Sequence, residues 1–206
     1  QRTQSYWQNS ALGAYGNPAS EAERELLGDA IDVIDPAILA GDYAMPITDG
    51  SGADRKVLAA AVKLLGEAGY RIANGKMTGP DGKPLAFEIM TTNEGQEKLA
   101  LAYQHTLNLI GVALSIRTVD DAQYQKRLNT FDYDMIVLLA PGFWYQSSLS
   151  PGAEQIWRWD SRSRDVEGTF NFAGVASADV DRMINDMLEA RSTDHFTDSV
   201  RAFDRL

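Results

Sequence analysis

Apolar residues alternate through Leu85, Phe87 and Ile89, which predicts a half-buried strand over residues 85–91. From Asn93 to Ile110 the spacing becomes helical. Leu99, Tyr103, Thr106, Leu107 and Ile110 fall on one face, and Gly111 can take the left-handed stop. Alternation returns at Val112, Leu114 and Ile116, predicting a second strand over 112–118. Asp120 can cap a short helix carrying Tyr124 and Leu128. Residues 134–139 then form an almost unbroken apolar run, as in a strand covered by helices on both faces. Strands separated by helices imply right-handed parallel crossovers in one sheet. Ligands of such open sheets collect beyond the carboxyl ends of the strands, which directs attention to residues 140–159.

Around this centre the pattern is less regular. Ser20 and Glu23 make a capping-box pair opening a short helix to about Leu27. Residues 31–47 are broken by Pro36, Gly41 and Pro46 and read as an irregular arm with one helical turn at 36–39. Residues 49–52 (Asp-Gly-Ser-Gly) form a turn. Asp54 can cap a helix to Ala68, with Val57, Leu58, Ala61, Val62, Leu65 and Ala68 inward and Gly69 as its stop. Asn74-Gly75 is a strong type I′ signal for a small hairpin over 70–79. Further on, Ser177 or Asp179 opens a helix with Val180, Met183, Ile184, Met187 and Leu188 on one stripe. Thr193 is the predicted cap of a last helix carrying Phe196, Val200 and Phe203. The chain opens on Gln1 and closes in mid-pattern, so both ends are expected to be cuts within a longer protein.

Composition narrows the function classes. The net charge of −10 over 206 residues argues against nucleic acid, which needs basic surface to displace counterions, and against docking on an anionic membrane. A hydrophobic content of 44% with 23% charged residues is that of an ordinary globular protein able to bury a core. The absence of cysteine removes disulfides, thiolate metal sites and cysteine nucleophiles, and suits an oxidising compartment.

Most candidate chemistry fails on spacing. Residues 69–77 imitate a phosphate-binding loop, but the spacing is one residue too long and Met77 stands where a magnesium-binding hydroxyl is needed. Residues 49–54 offer alternating oxygens, but Ala60 occupies the position of the bidentate glutamate a calcium loop requires. His105 and His195 lie on predicted helices without a zinc-binding partner. No nucleophile elbow is present, and Ser147-Ser148 has no base nearby in sequence. No cofactor and no metal are expected. What remains is a ring-rich stretch: Phe143, Trp144, Tyr145, Trp157 and Trp159 crowd together with Gln146, Ser147, Ser148, Ser150 and Gln155. Rings give contact area at low entropic cost, and serine and glutamine give adaptable hydrogen bonds, so this is a binding-surface composition. The same rings could instead pack as a satellite core, and at least one of Trp157 and Trp159 is expected to be structural.

The segment Ser5-Tyr6-Trp7-Gln8-Asn9-Ser10-Ala11-Leu12-Gly13-Ala14 resembles a SYFxNSELAA segment of the family 5 extracellular solute-binding proteins, the oligopeptide-, dipeptide- and nickel-type receptors of ABC importers. Residues 49–52, 64–70 (LLGEAGY), 79–85 (GPDGKPL), 110–112, 133–135 (YDM), 148–152 and 171–174 (NFAG) resemble it too, in collinear order. The nearest likeness is to the branch linked to microcin C and muropeptide-like peptide uptake. The resemblance implies an α/β fold: the C-terminal lobe of a periplasmic type II binding protein, a mostly parallel sheet flanked by helices with an irregular N-terminal arm. Residues 1–50 would be the arm, packing on the lobe, and 51–206 the ligand-binding lobe, cut short at its end.

It further implies a non-catalytic protein that works in the periplasm. Its partners would be a peptide or peptide-like ligand, the N-terminal lobe of the same protein and the ABC permease, with the membrane met only through that permease. Ligand contacts would come from Phe143, Trp144, Tyr145, Ser147 and Ser148, with Asn171 and Phe172 near the cleft. Classical oligopeptide receptors use an aspartate in the cleft loop to hold the peptide amine, but residues 141–150 contain no carboxylate. A blocked, modified or sugar-linked peptide fits this departure better. Two other readings stay open at this stage: an enzyme domain with a carboxylate-based hydrolytic site, and a protein-interaction module using the aromatic loop.

Overall fold

The computed structural model describes residues 4–137 and 150–206. In chain order the helices and strands are α1 (Glu21–Leu27), α2 (Pro36–Ala40), α3 (Arg55–Glu67), β1 (Arg71–Ala73), β2 (Lys76–Thr78), β3 (Ala86–Thr91), α4 (Glu94–Asn108), β4 (Ala113–Thr118), α5 (Asp121–Asn129), β5 (Met135–Ile136), α6 (Ile156–Trp159), α7 (Ala178–Glu189) and α8 (Thr193–Arg205). Short 3-10 turns occupy Gly28–Val33, Ala153–Gln155 and Ser161–Ser163. The chain divides into two compact units, one formed by Pro46–Leu139 and the other by Gln1–Met45 together with Ala140–Leu206. The C-terminal part differs from expectation, because it joins the N-terminal arm in one unit instead of joining the sheet.

In the Pro46–Leu139 unit, β3 lies between β4 and β5, and both pairings are parallel. Ile89 stands opposite Ile116 on one side and Met135 on the other. Asn93 caps α4 by accepting from Gln96 N at 3.1 Å. The inward face of α4 differs from the predicted one. Leu99 and Tyr103 are exposed, while Gln96 and Ala100 are buried and Leu107 packs with Ile89 and Leu114. The reason is hydrogen bonding. Gln104 donates to Leu114 O at 2.6 Å and Gln96 to Val137 O at 3.4 Å, so strand carbonyls make polar inward positions tolerable.

Asp54 caps α3 as predicted, and Leu58, Ala61, Val62 and Leu65 pack on Met77, Ile110 and Val112. Ala68, predicted inward, is exposed. Asn74 and Gly75 have φ of 51° and 75°, the two left-handed residues of the predicted I′ hairpin turn. Gly111 ends the α4 turn at φ 78°. β5 is shorter than the predicted run and pairs only through Met135 and Ile136, both half-buried.

The other unit is built on a core of Trp7, Leu27, Leu39, Val180, Met183, Ile184, Met187, Val200 and Phe203. Ser20 caps α1 by accepting from Glu23 N at 3.1 Å. The Glu23 carboxylate leaves the box for a buried ion pair with Arg205, Nε to Oε2 at 2.6 Å. Arg205 also donates to Ile38 O at 2.6 Å and to Asn17 O at 2.9 Å. Beside it, Asp204 accepts from the backbone N–H of Tyr6 and of Ala14, each at 2.8 Å. These bonds tie the arm to α8, and the C-terminal part groups with the arm because of them. Ser192, not Thr193, caps α8, with its hydroxyl accepting from His195 N at 3.2 Å. Leu188, predicted on the buried stripe of α7, is exposed.

Candidate ligand-binding site

At the carboxyl end of the sheet the polar groups are placed by bonds from α4 and α5. Thr91 is fully buried, and its hydroxyl lies 3.0 Å from that of Thr118. Gln96 Oε1 accepts from Thr92 N at 2.7 Å. The carbonyl of Val137 accepts from Gln96 Nε2 at 3.4 Å and from the Tyr124 hydroxyl at 3.2 Å. Burial pushes the Tyr124 phenol above its ordinary pKa. Val137 is thus a fixed point of departure for the aromatic segment. Phe143, Trp144, Tyr145, Ser147 and Ser148 themselves lie outside the described residues.

The segment's return is fixed as well. Ser150 O accepts from the fully buried Gln155 amide at 2.6 Å and from Gly152 N at 3.1 Å. Gln155 Oε1 in turn accepts from Trp159 Nε1 at 3.0 Å, and the Trp159 ring meets Tyr6 edge-on at 6.0 Å. Trp159 is therefore the structural member of the tryptophan pair. Trp157 is 55% exposed.

Asn171 and Phe172 belong to a loop held from inside. Asn171 is fully buried, donating to Val175 O at 2.8 Å and Asp160 O at 3.3 Å while accepting from Val175 N at 2.8 Å. Its amide is engaged within the loop at both ends, so where the resemblance implied a ligand contact the side chain instead holds the loop's shape. The Asp160 carboxylate accepts from Arg162 Nε and Nη2, each at 2.7 Å, and from Arg162 N at 2.8 Å. The Arg162 guanidinium holds the Asp160 carboxyl below the usual carboxylate range. Phe172 is half-buried and meets Phe170 edge-on at 5.9 Å. Above Phe170 lies the Arg158 guanidinium, 5.3 Å from the ring centroid. Arg158 is not among the residues that the sequence pattern singles out. The signal available was a cation set between two tryptophans, with Glu154 and Asp160 nearby in sequence.

Elsewhere, an open depression of about 470 Å³ in the Pro46–Leu139 unit is lined by Glu88, Arg117, Arg127, Asp132 and Asp134. Two ion pairs cross it, Arg117 with Glu88 and Arg127 with Asp132, both at 3.0 Å, and Asp134 accepts from Glu88 N at 2.9 Å. His105 and His195 are exposed on helices, and among the described residues no group of three side chains could hold a metal ion. No helix among the described residues is long and apolar enough to cross a membrane.

The sequence profile of the bacterial extracellular solute-binding proteins, family 5 Middle, matches residues 19–162. The chain belongs to this family. Among family relatives, it is 63% identical over 205 residues to the peptidoglycan-binding protein YepA of Agrobacterium fabrum, covering 100% of this chain and 32% of that protein. It is 52% identical over 206 residues to the putative binding protein BMEII0691 of Brucella melitensis, again 100% of this chain and 33% of the relative. The probable peptide-binding protein YejA of Agrobacterium fabrum is 32% identical over 207 residues, covering 100% of this chain and 33% of that protein. The chain thus spans about a third of the length of these relatives, each of them named as a binding protein. The fold is shared with the oligopeptide-binding protein AppA of Bacillus subtilis, solved with a nonapeptide, at a TM-score of 0.61, 20% identity, and coverage of 95% of this chain and 38% of that one. The architecture is therefore that of a type II binding-protein lobe, as the resemblance implied.

Proposed function

We propose that this chain is one lobe of the substrate-binding component of an ABC importer, capturing peptides or peptide-like compounds in the periplasm and delivering them to the permease. The observation that carries this reading is the family 5 match over residues 19–162. The high identity to a peptidoglycan-binding relative favours ligands of muropeptide type. The lack of a carboxylate in residues 141–150 agrees, since recognition of a free peptide amine by that route is missing.

In this reading the lobe is non-catalytic. Trp144 and Tyr145 stack on or enclose the ligand, Phe143 and Phe172 add apolar wall, and Ser147 and Ser148 bond its amide groups. Asn171 contributes by holding the loop that presents Phe172. Closure against the N-terminal lobe buries the ligand, and the closed form is the one the permease accepts.

Mass spectrometry of what co-purifies with the full-length protein tests the ligand class. Peptides or muropeptides are expected, and a bound sugar or metal chelate without peptide would contradict the reading. In the full-length protein Trp144→Ala should weaken binding by about 1–3 kcal/mol if the ring is a buried contact. An unchanged affinity by calorimetry would remove Trp144 from the site.

A further inference from the structure

Arg158 lies in α6, a single turn of four residues. Its guanidinium rests 5.3 Å from the centroid of Phe170, and Phe172 braces that ring from the side at 5.9 Å. The backbone N–H of Phe170 donates to Trp157 O at 3.0 Å, which locks the ring to the helix bearing the arginine. The cation is thus positioned by packing, not by a counter-ion. Three other arginines of the same unit have carboxylate partners: Arg162 with Asp160 at 2.7 Å, Arg182 with Asp179 at 2.9 Å and Arg205 with Glu23 at 2.6 Å.

Among the described residues, no carboxylate forms an ion pair with Arg158. Residues 138–149 contain no Asp or Glu at all. The Arg158 Nε is buried with no hydrogen-bond partner. Glu154, one turn earlier, also leaves its Oε1 buried and unpaired, so the two side chains do not satisfy each other. A buried donor on a cation is costly when unpaired and strong when it meets a carboxylate. A guanidinium already fixed on a ring loses little further freedom on making that bond.

We propose that Arg158 is the anion contact of the ligand, taking a carboxylate of a peptide or peptide-like compound with the Phe170 ring as its seat. This rests on the peptide-binding reading and deepens it by assigning the ligand a carboxylate at this point. The carboxylate can be the peptide's C-terminus or an acidic side chain, and the chemistry at Arg158 is the same for both.

The test uses the full-length protein. It is offered two probes, a soluble peptidoglycan digest and a random tripeptide library. Each is a mixture of free-acid molecules and molecules with all carboxylates amidated, and the retained species are counted by mass spectrometry. A third library amidated only at the C-terminus separates the terminal from the side-chain source. Wild type should retain free acids over amides by about ten- to a hundredfold, the range set by a charge-assisted hydrogen bond. Arg158→Gln should lose that preference while keeping the amides, and Arg158→Lys should keep part of it. The acid-over-amide ratio is read on wild type alone, so misfolding of a variant does not remove the test. Equal retention of acids and amides by wild type overturns the proposal while leaving peptide binding intact. So does an unchanged preference in a folded Arg158→Gln protein. Retention of neither form overturns the peptide-binding reading and the assignment of Arg158 with it.

Discussion

Asp160 ties several local elements together through its side chain and its carbonyl. Its carboxylate is 2% exposed and takes three bonds from Arg162, while its carbonyl accepts from Ser163 Oγ at 2.7 Å and from Asn171. Asn at this position keeps an acceptor for the Arg162 N–H but loses the paired oxygens that face the guanidinium. Arg162 is itself 69% exposed, so water screens part of the attraction, and Asp160→Asn should cost about 1–2 kcal/mol at neutral pH. The pH dependence follows from the sign of the shift. The folded-state pKa lies below the unfolded value of about 3.9, so the contribution is complete above that value and is lost as pH falls through the folded pKa. Urea unfolding of wild type and Asp160→Asn should therefore differ by a constant amount from pH 7 to 5, and the gap should narrow below about pH 4. A gap that widened on acidification would refute this.

At the level of elements, the hairpin and the α4 terminus depend on one residue. Gly111 combines φ of 78° with a Cβ position only 2.8 Å from Met77 N, because Met77 N donates to Gly111 O at 2.8 Å. Gly75 has a similar φ of 75° but open space around it. Gly75→Ala should cost about 1 kcal/mol of backbone strain, and Gly111→Ala about 2–4 kcal/mol, since backbone must also move. Equal urea midpoints for the two variants would show that the close approach is absorbed without cost.

Elements were legible in the sequence where a local rule decides them: the caps at Ser20, Asp54 and Asp120, and the turn at Asn74-Gly75. They were misread where a distant partner decides. Gln96 and Gln104 take the inward side of α4 because strand carbonyls receive them, which displaced the face predicted from Leu99 and Tyr103. Glu23 finds Arg205 across 182 positions of sequence, which no periodicity encodes. The ring-rich composition of the candidate site was legible. The internal bonds of Asn171 were not, because an asparagine that recognises a ligand and one that staples a loop look the same in sequence.

For the whole molecule, the question is how much binding this chain can perform alone. It spans about a third of its relatives' length, and in the proposed function it supplies one wall of a site that closes on its ligand. A ligand meeting one wall keeps much of its surface in water, so its rings and amides gain only part of the burial and hydrogen bonding that closure provides. Association still costs several kcal/mol of translational and rotational freedom, and that cost does not shrink with the number of walls. The balance therefore tips against the single lobe by much more than the missing share of burial alone would suggest. Calorimetry on the 206-residue chain should show no peptide or muropeptide binding tighter than about 1 µM, while the full-length protein binds the same compounds at least a hundredfold more tightly. The contrast also separates the proposed role from an interaction surface that acts by itself. A surface of that kind would keep its full affinity in the 206-residue chain, and equal affinities for the chain and the full-length protein would mean that closure contributes nothing.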